Sequence, residues 1–261
     1  MARTTIVVPC FNEEQRLDVP AFQAFAGSAP DVRLLFVNDG SRDRTLDVLE
    51  GVCQAAPERW AILDLERNSG KAEAVRRGLC QALSSGAEYV GFWDADLATP
   101  LAEIDMFRRA LDAHPGVDLV VGARIPLLGH AIERHPLRYV LSRAFARTAS
   151  LVLGVRLFDT QCGAKLFRAS ADLSCVLAQP FATRWIFDVE LMARYHCLRR
   201  ETGPTLAQTL YEVPLDAWRD VAGSKLKSSD FRKAIRELGL IYWRYLRRGA
   251  AEWTRGPYLE S

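Results

Sequence analysis

The 261-residue chain lacks several features that would define a class by themselves. Its six cysteines, at 10, 53, 80, 162, 175 and 197, form no C-x-x-C pair and no cysteine–histidine spacing of a zinc site. They read as reduced, mostly buried thiols of a cytosolic protein. A G-x-G-x-x-G turn and a Walker A loop are both missing, which argues against a dinucleotide oxidoreductase and against a P-loop enzyme. No segment approaches the roughly 20 uninterrupted apolar residues of a membrane span. The apolar run that ends at Pro9 is also too short for a signal peptide. A soluble or peripheral protein is therefore expected. The 34 basic and 32 acidic residues nearly cancel to +2, so nothing calls for nucleic acid as a partner. There is no internal repeat and no low-complexity segment.

What is present is a large apolar fraction, 49%, enough for an α/β domain with a substantial core. Short β-branched runs at Thr5–Val8, Leu34–Val37, Ala61–Leu65, Tyr89–Trp93 and Leu119–Val121 read as buried strands. Helix-like stretches separate them, near Ala21–Ala26, Thr45–Ala55, Lys71–Leu83 and Leu101–Ala113. This alternation predicts a doubly wound, mostly parallel sheet, in which ligands bind beyond the carboxyl ends of the strands. The second half has a different texture. Ile125–Pro136 reads as a loop and Leu137–Leu153 as an apolar helix carrying Arg138, Arg143 and Arg147. A helix over Phe187–Leu198, a strand over Tyr211–Pro214, a loop over Asp216–Ser224 and a last helix over Phe231–Arg248 follow.

Polar signatures sit at the strand ends. Asp94-Ala95-Asp96 follows an apolar strand, and two carboxylates one residue apart can share one divalent cation, Mg²⁺ or Mn²⁺. Asp39-Gly40-Ser41 ends the second strand, and a carboxylate there can accept the N3–H of a uracil. Asn68-Ser69-Gly70-Lys71 pairs a glycine that permits close backbone approach with a lysine that can meet a phosphate at a helix start. Pro9, Asn12 and Glu13 close the first strand. Taken singly, each is as well explained by an ordinary turn or helix cap.

Together the four elements resemble the family-2 glycosyltransferases of GT-A fold, where V-P-x-x-N-E, D-D-G-S, N-x-G-K and D-A-D occur in this order. Here they read Val8 to Glu13, Asn38 to Ser41, Asn68 to Lys71 and Asp94 to Asp96. Further stretches look like the dolichyl-phosphate β-glucosyltransferase branch, and more distantly the mannosyl one: Gly122-Ala123-Arg124, Arg134, Arg138, Asp159 to Phe167, Arg184 to Leu191, Trp218 and Gly223 to Lys225. The likeness spans about residues 4–226. It implies a glycosyltransferase domain over 1–226, with a nucleotide-sugar half of about 1–124 and an acceptor half of about 125–226. An amphipathic C-terminal helix and tail cover 227–261. Three departures stand out. Asn38 replaces the first aspartate of D-D-G-S, and Ala98 stands where mannosyl relatives carry a metal-binding glutamine. The N-terminal membrane helix of the eukaryotic glucosyl enzymes has no counterpart in this sequence.

The resemblance implies a UDP-sugar donor, with UDP-glucose first and GDP-mannose as runner-up, and a polyprenyl-phosphate acceptor. A phosphate dianion needs no base to attack; it needs cations, and Arg124, Arg134, Arg138 and Lys165 are expected to supply them. Gln161, Trp185 and Lys225 join them on the acceptor side. Asp188 and Glu190 bind sugar hydroxyls or orient Arg184 in this scheme; with a hydroxyl acceptor one of them would be the base. A nucleotide-sugar-binding protein without turnover would have no need of the Asp94–Asp96 pair. The basic, apolar last helix suits a peripheral position on the cytoplasmic face of a membrane, or simple packing against the domain.

Overall fold

The computed structural model describes residues 3–200, 203–221 and 228–247. Gly223, Ser224, Lys225 and Arg248 lie outside the described residues, as does the tail that follows.

Seven strands form the central sheet. They are β1 (Thr4–Cys10), β2 (Val32–Asn38), β3 (Trp60–Asp64), β4 (Tyr89–Trp93), β5 (Leu119–Ala123), β7 (Ala164–Arg168) and β8 (Leu210–Pro214), in the order β3-β2-β1-β4-β7-β5-β8. Every pairing is parallel except the two made by β7. Two short strands, β6 (Ala131–Glu133) and β9 (Ala217–Arg219), pair as a separate ribbon. The helices are α1 (Val19–Ser28), α2 (Thr45–Cys53), α3 (Lys71–Ser84), α4 (Ile104–Ala113), α5 (Pro136–Leu153), α6 (Ala171–Leu177), α7 (Phe187–Leu198), α8 (Leu206–Thr209) and α9 (Ser228–Ile241).

Alternation along each strand sends neighbouring side chains to opposite faces. Ile6, Val8, Phe36 and Trp93 enter one core with Phe22 of α1, Leu49 of α2 and Phe107 of α4. Val7, Val37 and Phe92 enter the other, against Val75 and Leu79 of α3 and Phe187 of α7. With both faces covered, the central strands are largely apolar, which is why β1, β2, β4 and β5 were legible as runs. Burying one such Leu or Phe side chain stabilises the fold by about 1.5–3 kcal/mol.

The expected sheet is present, with differences. The stretch Asp159–Phe167, to which the sequence pattern assigned no element, runs into β7, whose apolar run is interrupted by Lys165; tertiary pairing, not pattern, buries that charge. The expected loops Ile125–Pro136 and Asp216–Ser224 contain β6 and β9, each three residues long and too short to show a period. The Leu101–Ala113 helix opens with a 3₁₀ turn at Leu101–Glu103, and the last helix ends in a π turn, Tyr242–Leu246. Ala234, Leu238, Ile241 and Tyr245 join the α3/α7 core, so the C-terminal helix packs into the domain.

Candidate active site

The carboxyl ends of β1, β2 and β4 meet at one edge of the sheet. Because β7 runs against β4, with Trp93 opposite Ala164, its amino end joins them there. Gly163 thus lies flat against Asp94; a methyl group at 163 would overlap the Asp94 carboxylate. Asp94 Oδ1 in turn accepts from Lys71 Nζ at 2.5 Å, at the start of α3. Partial burial works against the lysine's charge, yet Asp94 outweighs it, and the ammonium is held more firmly than usual. Asp188 and Asp96 act on the same ammonium, which places both carboxylates around it.

Asp96 is the least comfortable acid of the group. Burial raises its pKa, the negative charge of Asp94 raises it further, and the Ala98 N–H at 3.2 Å and Arg16 at 3.8 Å offset this only in part. The next residue, Leu97, has φ +48°, a conformation that costs a bulky residue about 1–3 kcal/mol. Asn12, at the end of β1, is the other non-glycine residue with positive φ among the described residues. Both strained positions border this edge of the sheet.

The loops that follow β1, β2 and β3 interlock. Asp39 is 2% exposed and accepts from Ser69 N–H at 2.7 Å and Gly70 N–H at 2.8 Å. Burial pushes its pKa up despite these bonds. Asp39 therefore ties the end of β2 to the Asn68–Lys71 turn, a structural duty that the sequence did not disclose. Ser41 Oγ accepts from Asn12 N–H at 3.0 Å, and Thr45 Oγ1 from Glu13 N–H at 2.8 Å. Asn38, the departure from D-D-G-S, donates to Asp64 at 2.7 Å and accepts from Ser41 N–H at 3.3 Å. Gly40, with φ +61°, completes that turn, and Pro9 sits in β1 opposite Val37.

The expected acceptor cations are differently placed. Arg124 makes a buried two-point contact with Asp159, at 2.5 and 2.8 Å. Burial opposes both charges, but the pair wins: Arg124 is raised and Asp159 falls to about 2. Arg138 is bound to Asp220. Lys165 is fully buried and donates to Asp188 at 3.0 Å and to the Cys162 carbonyl at 2.6 Å. Each of these three expected acceptor cations has an acidic partner brought in from elsewhere in the chain. Arg134 differs. Its guanidinium lies over Trp218 at 5.6 Å and donates to Ser142 at 2.7 Å, while its Nε is buried without a partner among the described residues. Burial, then the charge of Arg124, lowers its pKa to about 10. Gln161 donates its backbone N–H to Asp159 at 3.2 Å, and Trp185 is 38% exposed.

Glu190 requires a correction. It is fully buried, and its two oxygens accept from Ala182 and Thr183 N–H, Thr183 Oγ1, Arg194 Nε and Nη2, and Tyr245 Oη. So saturated a carboxylate is a post joining α7 to the C-terminal turn, and neither a base nor a sugar ligand. It orients Arg194, not Arg184.

A divalent cation fits the remaining chemistry. Two carboxylates repel each other at Asp94 and Asp96, and an ammonium already stands on one of them. No cluster of three or more His, Cys, Asp or Glu side chains suited to a metal occurs among the described residues. Two protein carboxylates with the other positions left to phosphate and water is an ordinary arrangement for Mg²⁺-type sites.

Comparison with known proteins accords with this geometry. Residues 5–174 match the model of glycosyl transferase family 2. The chain is 31% identical to a dolichyl-phosphate β-glucosyltransferase of Trichomonas vaginalis over 96% of this chain and 73% of that one. It is 32% identical to the Drosophila melanogaster protein of the same name, over 93% and 75%. A polyprenol monophosphomannose synthase of Mycolicibacterium smegmatis is 27% identical over 89% and 84%. Among solved structures, glucosyl-3-phosphoglycerate synthase from Mycobacterium tuberculosis, in complex with Mn²⁺, UDP-glucose and phosphoglyceric acid, superposes with a TM-score of 0.64. That match has 18% identity and covers 93% of this chain and 80% of the other. With its sheet order, its strand-end signatures and these relatives in agreement, the chain belongs to glycosyl transferase family 2 and has the GT-A fold.

Proposed function

We propose that this glycosyltransferase moves glucose from UDP-glucose to a polyprenyl phosphate of the dolichyl type, inverting the anomeric carbon in one displacement. The observation that carries the reading is the Asp94–Asp96 pair at the end of β4, whose mutual repulsion asks for a cation beside the interlocked donor loops. The names of the relatives support the sugar and the acceptor.

In this scheme residues of the half 1–124 hold the donor. Asp94 and Asp96 would hold Mg²⁺ or Mn²⁺, which when bound neutralises the diphosphate leaving group. Lys71 exchanges its contact with Asp94 for a phosphate oxygen. The Asp39–Gly40–Ser41 turn, braced by Asn12 and Asn68-Ser69-Gly70, receives the uridine. The half 125–226 takes the acceptor. The Arg124–Asp159 unit presents the remaining Arg124 N–H groups, with Arg134 and Arg138 beside it, to the lipid phosphate. Gln161 and Trp185 border the sugar, and Lys225 belongs to the same group of acceptor residues. Asp188, fixed by Lys165, shapes the sugar pocket. The dianionic acceptor attacks without losing a proton, so no carboxylate base is required.

The hydroxyl-acceptor alternative lacks support from the geometry, because Glu190 is saturated and Asp188 is paired with Lys165. Peripheral attachment to the cytoplasmic face of a membrane belongs to the proposal. No helix among the described residues is long and apolar enough to cross a membrane. Yet α9 and its π turn expose Ile235, Leu240, Tyr242 and Trp243 beside Arg232, Lys233, Arg236 and Arg244, a composition suited to an anionic lipid surface. The decisive experiment incubates purified protein with Mg²⁺ or Mn²⁺, a panel of labelled nucleotide sugars, and polyprenyl phosphate or a soluble alcohol. Glucosyl transfer from UDP-glucose to the lipid phosphate is expected. Transfer from GDP-mannose instead would move the donor assignment, and transfer only to the alcohol would overturn the acceptor.

A further inference from the structure

Several cations of the site, Lys71, Arg124, Arg138 and Lys165, each have an acidic partner. Among the described residues Arg184 forms no ion pair and its side chain is exposed, although its charge reaches Asp39. Its guanidinium lies against the backbone of Gly70: a methyl group there would sit 3.2 Å from Nη2 and 3.5 Å from Nε. Gly70 has φ +90°, so the turn needs glycine for its conformation and offers Arg184 an unobstructed backbone to rest on. Arg184 and Lys71 thus flank the same peptide.

The backbone that carries Arg184 is held from far along the chain. Glu237, on α9, accepts from the N–H groups of Arg184 at 3.3 Å, Trp185 at 3.0 Å and Ile186 at 3.1 Å. Ile186 is the cap of α7, so one carboxylate from a remote helix holds the three residues that lead into it. Ala234 and Leu238, each 3% exposed, seat α9 in the core on either side of Glu237.

We propose that Arg184 binds the diphosphate of the nucleotide-sugar donor and that Glu237 is its positioning residue, so the C-terminal helix completes the donor site. The inference rests on the donor reading above. A planar guanidinium beside a glycine turn and a lysine is suited to two-point contact with phosphate oxygens, and it has no carboxylate to give up on binding.

The test is UDP binding by calorimetry to the full chain with Mn²⁺, alongside steady-state kinetics and thermal melting. Arg184→Ala should weaken UDP roughly tenfold to a hundredfold, as expected for loss of a charge-assisted contact. The KM for the nucleotide sugar should rise while the acceptor KM stays within about twofold. Glu237→Ala should weaken UDP by a smaller factor, and Glu237→Gln should restore most of the loss, because the amide oxygen still accepts from the same N–H groups. Unchanged UDP affinity in folded Arg184→Ala would overturn the proposal. A Glu237→Ala protein that melts earlier but binds UDP normally would show that Glu237 supports the fold only and would remove its positioning role. If the wild-type protein binds GDP and not UDP, the donor nucleotide is wrong but the diphosphate is shared, so GDP binding that Arg184→Ala weakens by the same factor supports the proposal and unchanged GDP binding overturns it. If it binds neither, the donor reading itself fails, and this inference fails with it.

Discussion

The regions proposed for donor and acceptor treat their charge differently. At the proposed donor end two acids crowd each other: Asp94 raises the pKa of Asp96, with Lys71 on Asp94 at 2.5 Å and Arg16 only at 3.8 Å from Asp96. At the acceptor end each of three cations already has its acid, in Arg124–Asp159, Arg138–Asp220 and Lys165–Asp188. Two crowded carboxylates of which one has only a distant cation suit a divalent cation. An end with paired charges offers fixed hydrogen-bond geometry and little net field, since a buried cation without a partner is costly. The exception is Arg134, with a buried, unpartnered Nε, where an incoming oxygen atom has the most to satisfy.

The largest expected effect comes from removing the donor-end charge. Asp96→Asn should cut turnover by about a hundredfold to a thousandfold, the order seen when a group stabilising transition-state charge is lost. The same change should leave the metal-free melting temperature equal or higher, because the wild-type carboxylate is raised by burial and by Asp94. A group raised in this way destabilises the fold as pH climbs through its folded pKa. Near-normal turnover, or a large fall in melting temperature, would break the contrast between the two ends.

The acceptor-end counterpart should do the reverse to stability. Asp159→Asn leaves Arg124 buried and unpaired, at a cost of about 3–5 kcal/mol. In a chain of this size that amounts to a melting temperature lower by about 6–20 °C. Asp159 falls to about 2 on folding, against burial, because Arg124 prevails. Its contribution is thus complete above its ordinary pKa near 4 and is lost as pH drops from 4 toward 2. Melting curves of wild type and variant should converge across that window; a constant gap would refute the ion-pair account.

Arg138→Ala should lower kcat/KM for the acceptor by about one to two decades, from roughly 1.5–3 kcal/mol, with UDP affinity nearly unchanged. Asp188→Asn should not remove a basic limb from the pH–rate profile. A mild arginine variant together with a nearly inactive Asp188 variant would restore the hydroxyl acceptor.

The smallest effect is linkage. UDP should raise the melting temperature only with a divalent cation present, by an amount set by RT ln(1 + [UDP]/Kd). Equal stabilisation in excess EDTA would show that the donor end does not act through a metal.

Much of the molecule was readable along the chain. Strand β4 and helix α7 have the expected ends, and β1, β2, β3 and β5 fall where the apolar runs placed them. These elements announce themselves because both sheet faces are buried and local pattern carries the signal. The donor signatures are contiguous, so their place at strand ends followed from the strands. Strand β7 was hidden by Lys165, whose charge is tolerated only because Asp188, from another element, reaches it.

By itself, then, the sequence determined the parallel α/β frame, the strand-end location of Asp94, Asp96, Asp39 and Lys71, and the family. Tertiary structure alone decided which charges are available. Asp159, Asp220, Glu190 and Glu237 find partners 35, 82, up to 55 and up to 53 residues away, respectively. Such separations leave no periodic trace, because an ion pair depends on where the fold delivers each group and not on what precedes it in the chain. It is this delivery that neutralised three expected acceptor cations, made Glu190 a structural post, and left Arg184 free over Gly70.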